Sequence, residues 1–88
     1  MRYDVVWVGT AERKLTEIWL ASSFRSVVTQ AAQAIDQELA IRPLDVGESR
    51  DFGQRILLAM PLGVIYQLHS ERRIVRVLRV WEIRRRSA

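Results

Sequence analysis

The sequence contains no cysteine, a single histidine and only one lysine. The absence of cysteine excludes disulfide bonds and metal sites built on thiolates. One histidine is too few for the usual histidine-based metal site, which draws on several such ligands. We therefore expect neither a bound metal nor a cofactor.

Long hydrophobic segments are also missing. No run approaches the roughly 20 apolar residues that a membrane-spanning helix requires. The apolar stretch 5–8 is too short for the core of a secretory signal, and charged residues follow it closely. Internal repeats, low-complexity segments and linkers are absent from the sequence. We therefore expect a cytoplasmic protein whose single domain spans residues 1–88.

Positive charge is concentrated at the C-terminal end. Residues 1–69 carry seven basic and eight acidic side chains, whereas residues 70–88 carry seven arginines against Glu71 and Glu82. Arginine suits bidentate contacts to phosphate or carboxylate groups. The pattern is typical of a solvated strand edge with a basic tail, and equally of an anion-binding surface for nucleic acid or an acidic protein segment. Charge alone does not separate these two interpretations.

The C-terminal half is predicted to form three consecutive strands joined by short turns. The strands and turns, in order, are 56–59, 60–63, 64–68, 69–72 and 74–83. Proline and glycine mark the first turn, and β-branched and aromatic residues fill the strand after it. In the last strand, apolar and charged residues occur at both even and odd positions. Neither face of that strand is plainly polar, so we expect both faces of the sheet to need cover.

The N-terminal half is predicted to form one strand, 2–8, and two helices. The residues at helical spacing are Ala11, Leu15, Ile18, Trp19 and Ser22 in the first helix, and Phe24, Val28, Ala31, Ala32, Ile35 and Leu39 in the second. Thr10 is the expected N-cap of the first helix, and Ser22 or Ser23 that of the second. Pro43 ends the second helix, because the residue before a proline is pushed out of the helical region.

This order, β-α-α-β-β-β, predicts an α+β fold of two layers in which two helices pack on one face of an antiparallel four-stranded sheet. Two short helices cannot cover the opposite face, on which apolar groups remain. An exposed apolar surface of more than a few hundred square ångströms usually marks an interaction site. We therefore expect a partner chain over this face or a homodimer in isolation. The alternative is a twisted sheet covered by loops and arginine stems.

Five short motifs extend over nearly the whole chain. They are A-E-x-x-L-x-E-I-W (11–19), A-x-x-A-I-D-x-x-L (31–39), P-L-x-V-G-E-S-R (43–50), P-L-G-V-I-Y (61–66) and V-R-V-L-R-V-W (75–81). Together with the element order, they resemble the RelE/ParE superfamily of bacterial type II toxin–antitoxin systems. The resemblance implies a toxin that is neutralised when the C-terminal segment of a cognate antitoxin wraps it. The antitoxin contacts predicted on this basis are Val64, Tyr66, Arg76 and Leu78.

The resemblance implies either of two targets. Members similar to RelE cut mRNA in the ribosomal A site and so inhibit translation, whereas members similar to ParE act on DNA gyrase. The ribonuclease branch uses cations to stabilise the charge that develops during RNA cleavage. The corresponding catalytic residues implied here are Arg55, Arg84 and Arg85. The chain departs from the pattern at Gly63 and Ile83, where basic residues are expected, and at Glu82, where many relatives have a histidine.

Binding without catalysis is therefore the alternative prediction. The residues expected to contact nucleic acid or another target are Arg76, Arg79, Trp81, Arg84, Arg85 and Arg86, with the indole of Trp81 able to stack on a base. Because Gly63 cannot supply a cation, we expect no detectable RNA cleavage. On this alternative the chain is a non-toxic, basic binding module that retains the fold and the antitoxin contact.

Overall fold

A computed structural model describes residues 2–84 of the 88-residue chain. The elements are β1 (Asp4–Trp7), α1 (Gly9–Ala21), α2 (Arg25–Ile41), β2 (Glu48–Ser49), a 3₁₀ turn (Asp51–Gly53), β3 (Gln54–Ala59), β4 (Leu62–His69) and β5 (Ile74–Glu82). The predicted α+β class, with two helices packed on one sheet, is confirmed. Neither helix in this range has the length and apolar character needed to cross a membrane.

The sheet differs from the prediction in two details. It has five strands in place of the predicted four, in the order β1-β5-β4-β3-β2. The additional strand is the two-residue β2, which forms within the segment predicted to be a loop. Strand β1 is parallel to β5, whereas the other neighbouring strands are antiparallel. The direction of β1 depends on how the helices return the chain to the sheet, and periodicity within the strand does not carry that information.

The helix starts also differ from the predicted caps. The N-cap of α1 is Val8, so Thr10 lies inside the helix and the prediction that it caps α1 was wrong. The N-cap of α2 is Phe24, whose backbone N–H donates a hydrogen bond to the Ser22 hydroxyl at 2.9 Å. The serine therefore stabilises the turn before the helix instead of capping it. The end of α2 at Ile41, just before the proline, agrees with the prediction.

The core lies between the helices and one face of the sheet. Its buried members are Ala11, Ile18, Val28, Ala31, Ile35, Leu39, Leu62, Val64, Tyr66, Val75, Val77 and Val80. Ile35 and Leu39 have no exposed surface, which confirms the centre of the predicted stripe on α2. Phe24 and Trp19 were expected in the same layer, but 72% and 37% of their surfaces are exposed. Phe24 precedes the helix, so helical spacing does not orient its side chain.

An irregularity in the β4–β5 pairing explains the mixed pattern of the last strand. Ile65 lies opposite Arg79 and Tyr66 opposite Val77, so Leu78 has no partner on β4. A β-bulge of this kind adds one residue and shifts the alternation of the strand that carries it. Even-numbered residues of β5 face away from the helices before the bulge, and odd-numbered residues do so after it. Each face of β5 therefore carries even-numbered residues on one side of the bulge and odd-numbered residues on the other.

Candidate functional site: the open face of the sheet

The face that the helices leave uncovered, here called the open face, is defined by the strand register. Its cross-strand rows are Trp81, Gly63 and Leu58; Arg79, Ile65, Ile56 and Glu48; Val6, Arg76, Gln67 and Gln54; and Asp4, Ile74 and His69. Successive residues of a strand point to opposite faces, so the residues between these rows point towards the helices. Burial agrees with this assignment, since Val64 and Tyr66 have no exposed surface.

One half of the open face is apolar. Ile56, Leu58, Ile65 and Trp81 occupy adjacent rows of three neighbouring strands, and we call these four residues the apolar patch. Leu58 is 59% exposed, and the other three are partly buried. The rows beyond them, towards the end of β4, carry glutamines and His69. No element of the described chain covers the apolar patch, as expected from the small number of helices.

Trp81 lies directly across Gly63. A Cβ atom placed on Gly63 would come within 2.5 Å of Cε2 and 2.9 Å of Nε1 of the indole. These separations are far shorter than van der Waals contact, so any side chain at residue 63 would have to displace the ring. An aromatic ring that packs over a glycine on the neighbouring strand is a known way to stabilise glycine in a sheet. The Trp81 ring therefore fills the space that the side chain of the expected cationic residue at position 63 would need.

Arginines flank the apolar patch on β5. Arg76 and Arg79 are exposed, and among residues 2–84 neither has a carboxylate partner within 4.0 Å. Arg84 lies just beyond the strand and forms a 3.3 Å ion pair with Glu82, an exposed contact that contributes little to stability. The predicted site residues Arg85 and Arg86 lie outside the described range. The open face therefore combines apolar side chains with arginines that have no carboxylate partner in the described part of the chain.

Arg55 lies on the opposite face, in the row that contains Tyr66 and Ser49. Its guanidinium donates hydrogen bonds to the Tyr66 hydroxyl (3.2 Å), to Ser49 Oγ (2.9 Å), and to the carbonyl oxygens of Leu44 (3.1 Å), Val46 (3.1 Å) and Gly47 (3.3 Å). Each of its three nitrogens therefore has an acceptor within the chain. On β3 it is Gln54 and Ile56, one residue either side, that face the open side.

The Tyr66 hydroxyl completes this network. It lies 2.7 Å from the Pro43 carbonyl oxygen and 2.9 Å from that of Val46, and it shares its single proton between them while accepting from Arg55. Gly47 has a φ of +73°, and a Cβ there would collide with the Ile56 carbonyl oxygen. Arg55 and Tyr66, here called the loop clamp, therefore tie the segment 43–47 to the sheet.

The predicted site residues thus divide between the two faces. Arg76, Arg79 and Trp81 share the open face, as one interaction surface requires. Val64 and Tyr66 point towards the helices and have no exposed surface, and their contacts with an antitoxin stay predictions. Leu78 lies at the bulge and is partly buried. The catalytic role of Arg55 stays a prediction. Its side chain lies on the face opposite to the open face, and the residues that β3 presents on the open face are not basic.

Sequence reasoning missed the three aliphatic members of the apolar patch. The run Ile56, Leu57, Leu58 and Ala59 is apolar at every position, which indicates a strand with two apolar faces. Such a run does not reveal which set of residues meets the helices. No sequence signal singled out the tip residue Phe52 either, although it is 90% exposed.

Comparison with known proteins identifies a structural class. No protein-family model matches the chain, and no curated protein matches it either. Solved structures do match, and the chain has the fold of the RelE/ParE toxins, which confirms the fold that the resemblance implied.

Three solved structures illustrate the likeness. The toxin–antitoxin complex RelBE2 from Mycobacterium tuberculosis superposes with a TM-score of 0.76 at 24% identity, over 93% of this chain and 92% of that one. The chromosomal ParDE system of P. aeruginosa gives 0.68 at 17% identity, over 94% and 98%. The intact E. coli RelBE complex gives 0.65 at 17% identity, over 94% and 99%. At these identities the likeness shows the fold alone.

Proposed function

We propose that this chain is the toxin-like component of a type II toxin–antitoxin system in the cytoplasm, and that a cognate antitoxin binds its open face. The observation that carries the proposal is the uncovered apolar patch, in a fold shared with proteins of such systems. Beside it lie Arg76 and Arg79, which have no carboxylate partner among residues 2–84. A folded domain rarely leaves contiguous apolar surface exposed unless another chain covers it.

The chemistry of the open face defines the segment that fits it. The apolar patch calls for aliphatic or aromatic side chains, with Leu58 as the most exposed contact. Arg76 and Arg79 call for carboxylates, because a guanidinium binds a carboxylate through two parallel hydrogen bonds. We therefore propose an antitoxin segment that alternates apolar and acidic residues.

We also propose that the chain does not cleave RNA. Cleavage requires donors that converge on the phosphate from more than one side. In residues 2–84 the cations of the open face come from β5 alone, whereas β3 presents Gln54 and Ile56, and the Trp81 ring covers Gly63. The guanidinium of Arg55 is engaged by the loop that it holds. The non-catalytic alternative is therefore favoured over a ribonuclease.

Two targets are consistent with toxicity that depends on binding alone, namely ribosome-bound mRNA and DNA gyrase. Induction of the chain in a bacterial host separates them. Loss of protein synthesis without new mRNA ends indicates the ribosome, and a DNA damage response indicates gyrase. Unchanged growth indicates a non-toxic binding module.

The antitoxin contact is tested with the product of a neighbouring reading frame. We expect it to co-purify with the chain, and we expect Leu58→Asp to weaken the complex at least tenfold. The matched control is Leu44→Asp, because Leu44 is 58% exposed but lies in the loop after α2. Equal effects of the two substitutions, or none from either, would argue against binding at the open face.

A further inference from the structure

Phe52 lies at the tip of the β2–β3 hairpin in an unfavourable backbone conformation. Its φ and ψ are 63° and 32°, in the left-handed region that favours glycine, asparagine or aspartate and disfavours bulky side chains. The side chain is 90% exposed, so almost no contact within the described chain compensates for the strain. An exposed aromatic side chain held in a strained conformation indicates a contact with another molecule.

The hairpin presents this residue on a firm base. The Arg50 N–H donates a 2.7 Å hydrogen bond to the Gln54 carbonyl oxygen and closes the three-residue loop 51–53. At the next pair along the hairpin, Arg55 donates to Ser49 Oγ and joins β2 to the loop clamp. Phe52 is therefore held out from the sheet by two defined contacts and is well placed to act as an anchor.

The tip differs in charge from the rest of the chain. Segment 48–53 carries the carboxylates Glu48 and Asp51 against one arginine, whereas the chain as a whole has a net charge of +4. Asp51 lies next to Phe52 at the tip, and Glu48 lies at the edge of the open face opposite Ile56. An aromatic ring beside carboxylates is complementary to the open face, which offers the apolar patch beside Arg76 and Arg79. The same carboxylates would repel a nucleic acid, so phosphate is a poor ligand for the tip.

The tip does not pack on the apolar patch of its own chain, since Phe52 is 90% exposed. Gln54, the first residue of β3, lies opposite Gln67, whereas Leu58 lies opposite Gly63 near the other end of the strand. The tip therefore projects from the end of β3 that is remote from Leu58 and Trp81. Leu58 and Trp81 are therefore free to receive the tip of another molecule.

We propose that, when no antitoxin is bound, the hairpin tip of one copy docks on the open face of a second copy. Phe52 packs on the apolar patch, and Asp51 meets the arginines of β5. The contact is heterologous, because each copy contributes a different surface, so it leaves one free tip and one free face at the ends of any assembly. The contact uses the open face, which the proposed function assigns to the antitoxin. The antitoxin and the hairpin tip of a second copy would therefore compete for this face.

A mixing experiment tests this asymmetry. Phe52→Gly removes the anchor, and glycine suits its φ; Arg79→Glu reverses a charge on the receiving face. At a concentration where the parent chain self-associates, we expect each variant alone to be monomeric, with self-association at least tenfold weaker. An equimolar mixture should form dimers that grow no further, because only one intact tip–face pair remains. Sedimentation velocity measures all three samples.

Phe24→Ala is the matched control, since Phe24 is also strongly exposed but lies in the turn that connects α1 to α2. This substitution should leave self-association unchanged. Thermal unfolding confirms that every variant is folded. A monomeric parent chain at high concentration, full association of Phe52→Gly, or a mixture that stays monomeric would each overturn the proposal. Antitoxin binding by Phe52→Gly is measured separately and should match the parent, so this proposal can fail while the proposed function stands.

Discussion

The Trp81 indole on β5 fills the space over Gly63 on β4 that a side chain at residue 63 would need. The two residues form one packing unit, so a change at either is expected to depend on the other. This contact also explains how the chain accommodates a glycine where the family pattern expects a cation, because the ring stabilises that glycine within the sheet.

Gly63→Arg should destabilise the fold by about 1–3 kcal/mol, because the new side chain must displace the indole ring. The double variant Gly63→Arg with Trp81→Ala should lose less than the sum of the two single changes, since the clash is gone. Urea unfolding of the three variants measures this coupling. Additive losses would mean that the ring moves aside freely.

Arg55→Ala should destabilise the fold by about 1–3 kcal/mol, because the carbonyl oxygens of Leu44 and Gly47 lose the guanidinium donor and that of Val46 keeps only the Tyr66 hydroxyl. Amide hydrogen exchange in that segment should accelerate. Arg76→Ala, an exposed arginine on the open face, is the control and should change stability by less than about 0.5 kcal/mol. Cleavage of mRNA on ribosomes by the purified protein, abolished in Arg55→Ala, would instead establish a catalytic role.

Ile35→Ala should cost about 2–5 kcal/mol, since Ile35 is fully buried at the centre of the helix–sheet interface. Val27, on the same helix, is 44% exposed, and Val27→Ala should change stability by about 0.5 kcal/mol or less. Thermal or denaturant unfolding compares them. Similar losses at both positions would contradict the orientation of α2.

The Arg42 side chain donates a 2.8 Å hydrogen bond to Glu38 and lowers the pKa of that carboxyl below its ordinary value. A lowered pKa means that the folded state favours the carboxylate. The resulting stabilisation is present above the ordinary pKa and is lost as the pH falls through the lowered one. An NMR titration should show the low pKa, and Arg42→Ala should return it towards normal.

If the open face binds single-stranded RNA through phosphates, affinity should fall by about 0.7 log units per log unit of salt for each phosphate that is neutralised. Replacing Arg76 and Arg79 with alanine should flatten the slope in proportion to the phosphates that these two side chains neutralise. Replacing Arg84 and Arg85 tests the end of the chain in the same way. An unchanged slope in both double variants would place RNA elsewhere or exclude binding through phosphates.

Local patterns in the sequence were enough to locate both helices, four of the five strands and the burial of the second helix. The stripe through Ile35 and Leu39 has helical spacing, and only one face of α2 can be apolar and buried. The β-branched run before Tyr66 and the proline after α2 are equally local signals. The RelE/ParE resemblance rested on the five short motifs together with the element order.

The side of the sheet that each strand residue occupies depends instead on tertiary structure. Val64 and Ile65 are both apolar. The period of two in a strand places their side chains on opposite faces of the sheet but does not indicate which of the two meets the helices. The bulge at Leu78 exchanges the two sets partway along β5, so Arg76 and Arg79 share a face despite their odd spacing. The face that Arg55 occupies, opposite to the open face, is likewise decided by tertiary structure. It is set by pairing with Tyr66 and Ser49 on the two neighbouring strands.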